Sequence, residues 1–379
     1  MKHLPIGGST IGRTIKCPGW LKNINKLAKR PAGQAANLGN LLHNAMENYY
    51  QHEMDFEDQI GETTYEDLTL ADEHLPILYK MLHATEQVLD TYNIDQYLCE
   101  PFVQYLKDEA GGSIDMLGVS ADGSIALVLD YKTGHGAVSA HKLPQLYFYA
   151  LCATVDPKTR GMLKNVTRFV SAVVQPYVHG DEADIYEYHN DELAAFRVTL
   201  DEAIQKTDLK YPPLVAGEHC LFCPKAAICT ARRDQAQQAY LISPKDANAL
   251  NESLALAKQL KSWCDEVLEY AKFIISEGGN VPGYKLVEGR KTRVWADEKQ
   301  AESRLVKDLH DAAYSKKLLS PTQAMTAIKK AKLDPAAYDE LIDFKAAAPV
   351  IAEEADKREA IQPTGLNKNL TKFFTKEKA

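Results

Sequence analysis

No stretch of the 379 residues approaches the ~18 consecutive apolar residues that a membrane-spanning helix needs. The opening residues, Met1-Lys-His-Leu-Pro-Ile-Gly-Gly-Ser-Thr10, hold neither a long apolar run nor a small-residue cleavage site. No secretory signal is read there, and the expected location is the cytoplasm. An excess of positive charge is also missing: 44 Lys and Arg stand against 52 Asp and Glu, a net charge of −8. That excludes a protein that coats nucleic acid indiscriminately, but not an enzyme with a local basic track. Such tracks occur at Lys22, Lys26, Lys29 and Arg30, and at Arg232 and Arg233, although a solvated surface explains them equally well. No Gly-x4-Gly-Lys-Ser/Thr phosphate loop is present, so the chain does not unwind duplex DNA by ATP hydrolysis on its own. No internal repeat or low-complexity block occurs. Cysteine is scarce and odd in number, at seven. Without a secretory signal this argues against a disulfide framework and raises metal or cluster ligation instead.

What is present fits a globular chain. Hydrophobic residues make up 45% and charged residues 25%, enough for one large domain or two modest ones. Apolar periodicity predicts helices over 35–53, 75–92, 141–154, 191–206 and 244–276. Strands are predicted at 96–106, 113–119, 125–131, 167–177 and 184–188. Ile125-Ala-Leu-Val-Leu129 is a continuous apolar run, the mark of a strand buried on both faces. Strands mixed with helices give an α/β core. The character changes at 235–243, which divides a domain over 1–235 from a mainly helical region over 236–379. That region holds a short hairpin at 284–295 and a helix start at Ser320-Pro-Thr-Gln323. Residues 320–344 admit a helix–turn–helix, though plain helical packing explains them more simply. Residues 349–379 are polar and Lys-rich.

The densest chemistry lies in Gly112-Ser-Ile-Asp115 and Asp130-Tyr-Lys132. Side chains alternate along a strand, so Asp130 and Lys132 point the same way. A hairpin through Ala121-Asp122-Gly123 brings Asp115, in the preceding strand, to the same end of the sheet. Two carboxylates suit Mg²⁺ or Mn²⁺, and a lysine beside them orients water or offsets phosphoryl charge. An exposed ion pair is the plainer reading of Asp-x-Lys alone. His43, in Gly39-Asn-Leu-Leu-His43, is a further ligand, a positioning group, or simply structural. Gln145 and Tyr149, in Gln145-Leu-Tyr-Phe-Tyr149, share a helical face and either touch substrate or belong to the core. Cys220-Leu-Phe-Cys223-Pro-Lys-Ala-Ala-Ile-Cys229 places three thiols in a turn-like setting, where a tetrahedral zinc or an iron–sulfur cluster needs a fourth. Cys152 and Cys264 read as buried helix residues and Cys99 as a strand residue. Cys17, in Lys16-Cys17-Pro18-Gly19, is the choice that remains.

Taken in order, Gly-x-x-x-His, Gly-x-x-Asp, Asp-x-Lys and Gln-x-x-x-Tyr resemble the motif series of RecB-like nucleases of the PD-(D/E)XK superfamily. The resemblance implies a restriction-endonuclease-like core, a mixed sheet flanked by helices. It implies His43, Asp115 and Asp130 as metal ligands, with the Tyr131 carbonyl as a further one and Glu100 assisting. Lys132 becomes the catalytic lysine, and Gln145 and Tyr149 bind substrate. One cysteine before these motifs and three after them resemble the iron–sulfur members, including AddB-type recombination nucleases and the nucleases of CRISPR adaptation loci. Cys17, Cys220, Cys223 and Cys229 would then hold a 4Fe-4S cluster, with structural Zn²⁺ as the alternative. A closer resemblance rests on Arg13-x3-Cys17-Pro-Gly, Leu129-Asp-Tyr-Lys-Thr-Gly-His-Gly136, Val174-Gln-Pro176 and Gly283-Tyr-Lys-Leu-Val-Glu-Gly-Arg290. It is to a phage and prophage family catalogued as a domain of unknown function that holds such nucleases. The implied activity is Mg²⁺- or Mn²⁺-dependent hydrolysis of DNA, exonucleolytic rather than endonucleolytic, at single-stranded ends. The implied setting is phage DNA recombination, replication or degradation, with a single-strand-binding protein, recombinase or helicase as partner. A catalytically silent DNA-binding scaffold is the alternative.

Overall fold

The computed structural model describes residues 4–24, 27, 33–240, 247–279 and 281–284. They lie within a compact unit, Met1–Lys285. The expected hairpin beyond Tyr284, the helix start at 320–323, the helix–turn–helix at 320–344 and the tail at 349–379 fall outside the described residues. So do Lys26, Lys29 and Arg30.

The helices are α1 (Gly8–Lys16), α2 (Gln34–His52), α3 (Leu75–Thr91), α4 (Pro144–Val155), α5 (Pro176–His179), α6 (Asn190–Thr207), α7 (Thr230–Tyr240) and α8 (Ala247–Ser276). The strands are β1 (Thr64–Tyr65), β2 (Leu68–Thr69), β3 (Ile94–Cys99), β4 (Phe102–Leu106), β5 (Ala110–Ser113), β6 (Met116–Ser120), β7 (Ile125–Tyr131), β8 (Arg168–Val174) and β9 (Ala183–His189). Five of them form one mixed sheet in the order β3-β6-β7-β8-β9, with β7 and β8 parallel and every other pair antiparallel. The parallel pair needs a crossover, and α4 supplies it. The antiparallel β6–β7 pair closes through Gly123, whose φ of 73° suits the turn.

All seven residues of β7 are buried, because the sheet is covered on both faces. Ala126 and Val128 face a core shared with Ile11 of α1, Phe148 of α4 and Leu200 of α6. Ile125, Leu127, Leu129 and Tyr131 face a second core with Leu42 of α2 and Met81 of α3. The even-numbered face of β7 therefore looks toward α1 and α4, and Asp130 belongs to it.

Several expectations change in detail. The strand expected at 96–106 breaks at Glu100-Pro101 into β3 and β4, because Glu100 turns the chain with a φ of 49°. Asp115 stands just before β6 rather than inside a strand. The strand expected to 177 stops at Val174, ahead of Pro176. Cys264 is exposed on α8 rather than buried, while Cys152 is buried as expected. α8 lies within the first unit, packed on α7 and on the turn Ala226–Ile228, whereas composition placed the change of character near 235–243. Among the described residues, no helix is long and apolar enough to cross a membrane.

Candidate active site

The β6–β7 register pairs Met116 with Leu129 and Leu117 with Val128. One step further sets Asp115 opposite Asp130, so strand pairing alone brings the two carboxylates to one sheet end. There the Asp115 carboxylate takes over from the ladder: its Oδ2 accepts the Tyr131 N–H at 2.6 Å. α2 delivers His43 from the opposite layer. Its Nε2 donates to the Tyr131 carbonyl at 3.1 Å, and its Nδ1 lies 3.5 Å from Asp115 Oδ1. The carbonyl expected as a metal ligand is thus engaged by the histidine. α2 can come this close because residue 39 is glycine; a Cβ there would stand 2.6 Å from Thr133 Oγ1.

Glu100 joins from the break between β3 and β4, where its N–H donates to the Asp115 carbonyl at 3.1 Å. Ligand atoms of His43, Glu100 and Asp115 all lie within 4.8 Å of one another. Asp130, expected in this set, is held otherwise. Gln145 Nε2 donates to its Oδ1 at 2.5 Å, and its Oδ2 pairs with Lys132 Nζ at 2.5 Å. Lys132 in turn donates to Gln145 Oε1 at 3.2 Å, which closes a three-membered network. Tyr149 stands one helical turn from Gln145. Its ring packs so tightly on α1 that a Cβ on Gly8 would sit 2.3 Å from it. His43, Glu100, Asp115, Asp130, Lys132, Gln145 and Tyr149 all line one cleft of about 1050 Å³.

Electrostatics separate these groups. Burial works against charge on His43, yet the Asp115 carboxylate, helped by Asp130, raises the imidazolium to about 9. Burial, then the Asp115 charge, pushes Glu100 up to about 8. Burial opposes ionisation of Asp115, but His43 and Lys132 hold it below its ordinary value. Burial raises Asp130 in spite of Lys132. Lys132 itself is raised, because Asp130 overrides the cost of burial, so it remains an ammonium. His43 and Glu100 therefore carry protons at pH 7 that a cation must displace. Apparent Mn²⁺ affinity is expected to tighten by about 50-fold from pH 7 to 8, where both protons must leave, and by about 10-fold from pH 8 to 9, where His43 still holds one. Calorimetry in buffers of different ionisation enthalpy should show proton release that fades toward pH 9. Affinity independent of pH would remove His43 and Glu100 from the ligand set.

Gln175 was visible in the sequence only as part of a resemblance, yet it is fully buried beside this site. Its Nε2 donates to the carbonyls of Gly134 and Gly136, each at 2.8 Å, and its Oε1 accepts the Val138 N–H at 2.9 Å. This side chain holds the loop after Lys132, together with Asp184, whose Oδ2 accepts the Ala140 N–H at 2.8 Å. Gln175→Leu is expected to cost about 2 kcal/mol in urea denaturation, because the loop's polar groups lose their partner. An unchanged midpoint would show that water replaces these bonds.

The cysteines converge at the far end of α1. Cys17, Cys220, Cys223 and Cys229 are all free and buried. Burial pushes the Cys17 thiol up; the Val215 N–H, 3.3 Å from its sulfur, opposes this, and Cys220 and Cys229 add to the rise. Cys223 is likewise raised by burial, with Cys220 and Cys17 contributing. The Gly217 N–H points at the Cys220 sulfur from 3.4 Å. Two of the four sulfurs are met by backbone N–H donors, but among the described residues the cysteines do not close to within 4.8 Å of one another as His43, Glu100 and Asp115 do, so they stand wider than a single tetrahedral ion would hold them. Arg13 and Lys225 lock this knuckle to the N-terminal segment. Arg13 donates to the carbonyls of His219 and Phe222, and Lys225 to those of Gly19 and Lys22. Trp20 belongs to the small core around Cys17 and Cys223 and also lines the cleft.

Comparison with known proteins adds a family and a distant likeness. A solved protein described as SSO0001 matches at 13% identity, covering 59% of this chain and 96% of that one. The TM-score is 0.23, too low for the two folds to be equated. The family described as "Protein of unknown function (DUF2800)" matches residues 3–359, and the chain belongs to that family.

Proposed function

We propose that the protein is a metal-dependent deoxyribonuclease of the RecB-like PD-(D/E)XK type, acting as an exonuclease on single-stranded ends. The observation that carries this reading is the convergence of His43, Glu100 and Asp115 within 4.8 Å beside the Asp130–Lys132–Gln145 network, in one open cleft. The mixed sheet, with its two carboxylates at the ends of paired strands and helices on both faces, supports reading the core as the nuclease fold. The donor set of carboxylates and one imidazole suits Mg²⁺ or Mn²⁺.

His43, Asp115 and Glu100 are the residues that would hold the cation. When bound, it supplies Lewis-acid activation of the phosphodiester and of the attacking water. The protein's own groups do the rest. Lys132 stays protonated against Asp130 and sets positive charge where phosphoryl negative charge develops. Gln145 bridges Asp130 and Lys132, so that neither swings away between turnovers. Tyr149, whose ionisation is opposed first by burial and then by Asp130, remains a neutral O–H donor facing the cleft. Cys17, Cys220, Cys223 and Cys229 would carry a 4Fe-4S cluster in a structural role, with zinc as the alternative. DNA is the partner, in recombination, replication or degradation of a phage genome.

The test is degradation of end-labelled single- and double-stranded DNA with Mg²⁺ or Mn²⁺. Metal-dependent shortening, strongest on single strands, is expected, and labels at either end read the polarity. No cleavage by cluster-loaded protein that still binds DNA would favour a scaffold that keeps the fold without the reaction.

A further inference from the structure

α6 ends at Thr207, and Thr207 and Asp208 line the mouth of the cleft. The next residues lead away from it with apolar side chains in water: Leu209 is 50% exposed and Tyr211 81%. The Lys210 ammonium stands 5.4 Å from the centre of the Tyr211 ring. This segment is fixed beside the cleft wall, since the Pro213 carbonyl accepts the Gly19 N–H at 2.9 Å and Trp20 lines the cleft. A second ring projects from the cysteine knuckle. Phe222 is 80% exposed and has a φ of 62°. A bulky aromatic in the left-handed region is a backbone outlier that persists only where its surroundings impose it. Here Cys220 and Cys223 flank it, and Arg13, whose guanidinium lies over Trp20, holds its carbonyl at 3.0 Å. A phenyl ring held in water on a costly backbone adds nothing to this chain's core.

We propose that Tyr211 and Phe222 form a base-stacking platform that leads single-stranded DNA to the cleft, with Lys210 and Lys22 following its phosphates. The proposal deepens the nuclease reading and rests on it. Two arguments select an unpaired strand as the occupant. Aromatic side chains stack on bases whose faces are free, and duplex DNA hides those faces. With a net charge of −8 the chain gains less from phosphate contacts than a basic protein does, so stacking supplies a larger share of the affinity. Continuity with the cleft through Asp208 and Trp20 gives the strand a route to the reacting groups.

The experiment is fluorescence anisotropy with full-length protein, without added divalent cation, using a labelled oligothymidine and a duplex of equal length. Tyr211→Ala and Phe222→Ala are each expected to weaken oligothymidine binding by about 10-fold. Duplex binding should hold, and Phe222→Tyr should restore the affinity. An abasic strand should bind wild type as weakly as the oligothymidine binds the double variant. Phe222→Gly, which relieves the backbone cost, should keep the thermal midpoint of wild type and still lose binding, which separates recognition from folding. Oligothymidine affinity unchanged in both variants would overturn the platform even if cleavage is intact. Equal losses on duplex would overturn stacking in favour of a surface for another ligand. Binding that depends on both rings in a protein that cuts nothing would uphold the platform and reject the nuclease.

Discussion

Lys132→Ala is expected to slow metal-dependent DNA cleavage by about 10³-fold while Mn²⁺ still binds at least as tightly as to wild type. The size of the loss follows from the removal of one pre-placed charge beside the reacting groups, where such charges carry much of the catalysis. The retained metal affinity follows from position. Lys132 contacts Asp130 and Gln145, whereas the ligand cluster is His43, Glu100 and Asp115. Removing a nearby cation leaves that cluster intact and its field more favourable to Mn²⁺. The variant should also fold. Asp130 is 3% exposed and already raised by burial, so without its partner it takes up a proton rather than standing as a bare buried charge. Asp115→Ala should differ in kind. It removes a ligand, the partner of His43 and the acceptor for the Tyr131 N–H, so metal binding and turnover fall together. Calorimetry with Mn²⁺ beside the cleavage assay separates the two variants. Cleavage that survives Lys132→Ala would end the assignment of the catalytic lysine. Loss of Mn²⁺ binding in that variant would mean that Asp130 needs its partner to shape the ligand set.

The sheet and much of this site were legible because they depend on local pattern. The continuous apolar run of β7, bounded by a turn, marks a strand covered on both faces, and its alternation puts Asp130 and Lys132 on one face. Hairpin pairing then fixes where Asp115 lies. What could not be read depends on tertiary packing. α1 buries Ile11 and Thr14 and opens on adjacent glycines, which is too little periodicity to mark a helix from sequence. Gly8 makes sense only once Tyr149 is packed against it. Glu100 enters the ligand cluster because the chain reverses there with a positive φ, an unusual state for a glutamate ahead of proline. Periodicity instead read straight through it as one long strand. The separation of Asp130 from the ligand cluster was equally hidden, because it depends on Gln145 arriving from the crossover helix. Cys264 shows the reverse error: apolar neighbours at helical spacing suggested burial, but α8 turns that position to solvent.

Cys223→Ser is expected to give an insoluble or colourless protein, where wild type purified without oxygen is expected to be brown and to absorb near ~400 nm. The reason lies in how little apolar core closes this end of the fold beside the hydrogen bonds of Arg13 and Lys225. The core around the knuckle consists of Cys17, Trp20, Cys223 and Ala226, with Leu21, Ile24 and Leu214 at its margin. Such a core buries too little apolar surface to tie residue 17 to residues 220–229 across the whole domain. Ligation free energy is folding free energy, on the order of 10 kcal/mol for a structural metal, which rivals the whole stability of an ordinary domain. Cys264→Ser, at an exposed position, should leave colour and solubility unchanged and serves as the control. A colourless wild type with one equivalent of zinc would replace the cluster with zinc and leave the closure argument standing. A soluble, coloured Cys223→Ser protein would show that the fourth ligand lies elsewhere. Because Trp20 joins the knuckle core and also walls the cleft, damage at the sulfurs should reach the active site first. Mild oxidation of the wild type should therefore bleach the colour, expose residues 209–229 to protease and abolish cleavage with a single time course.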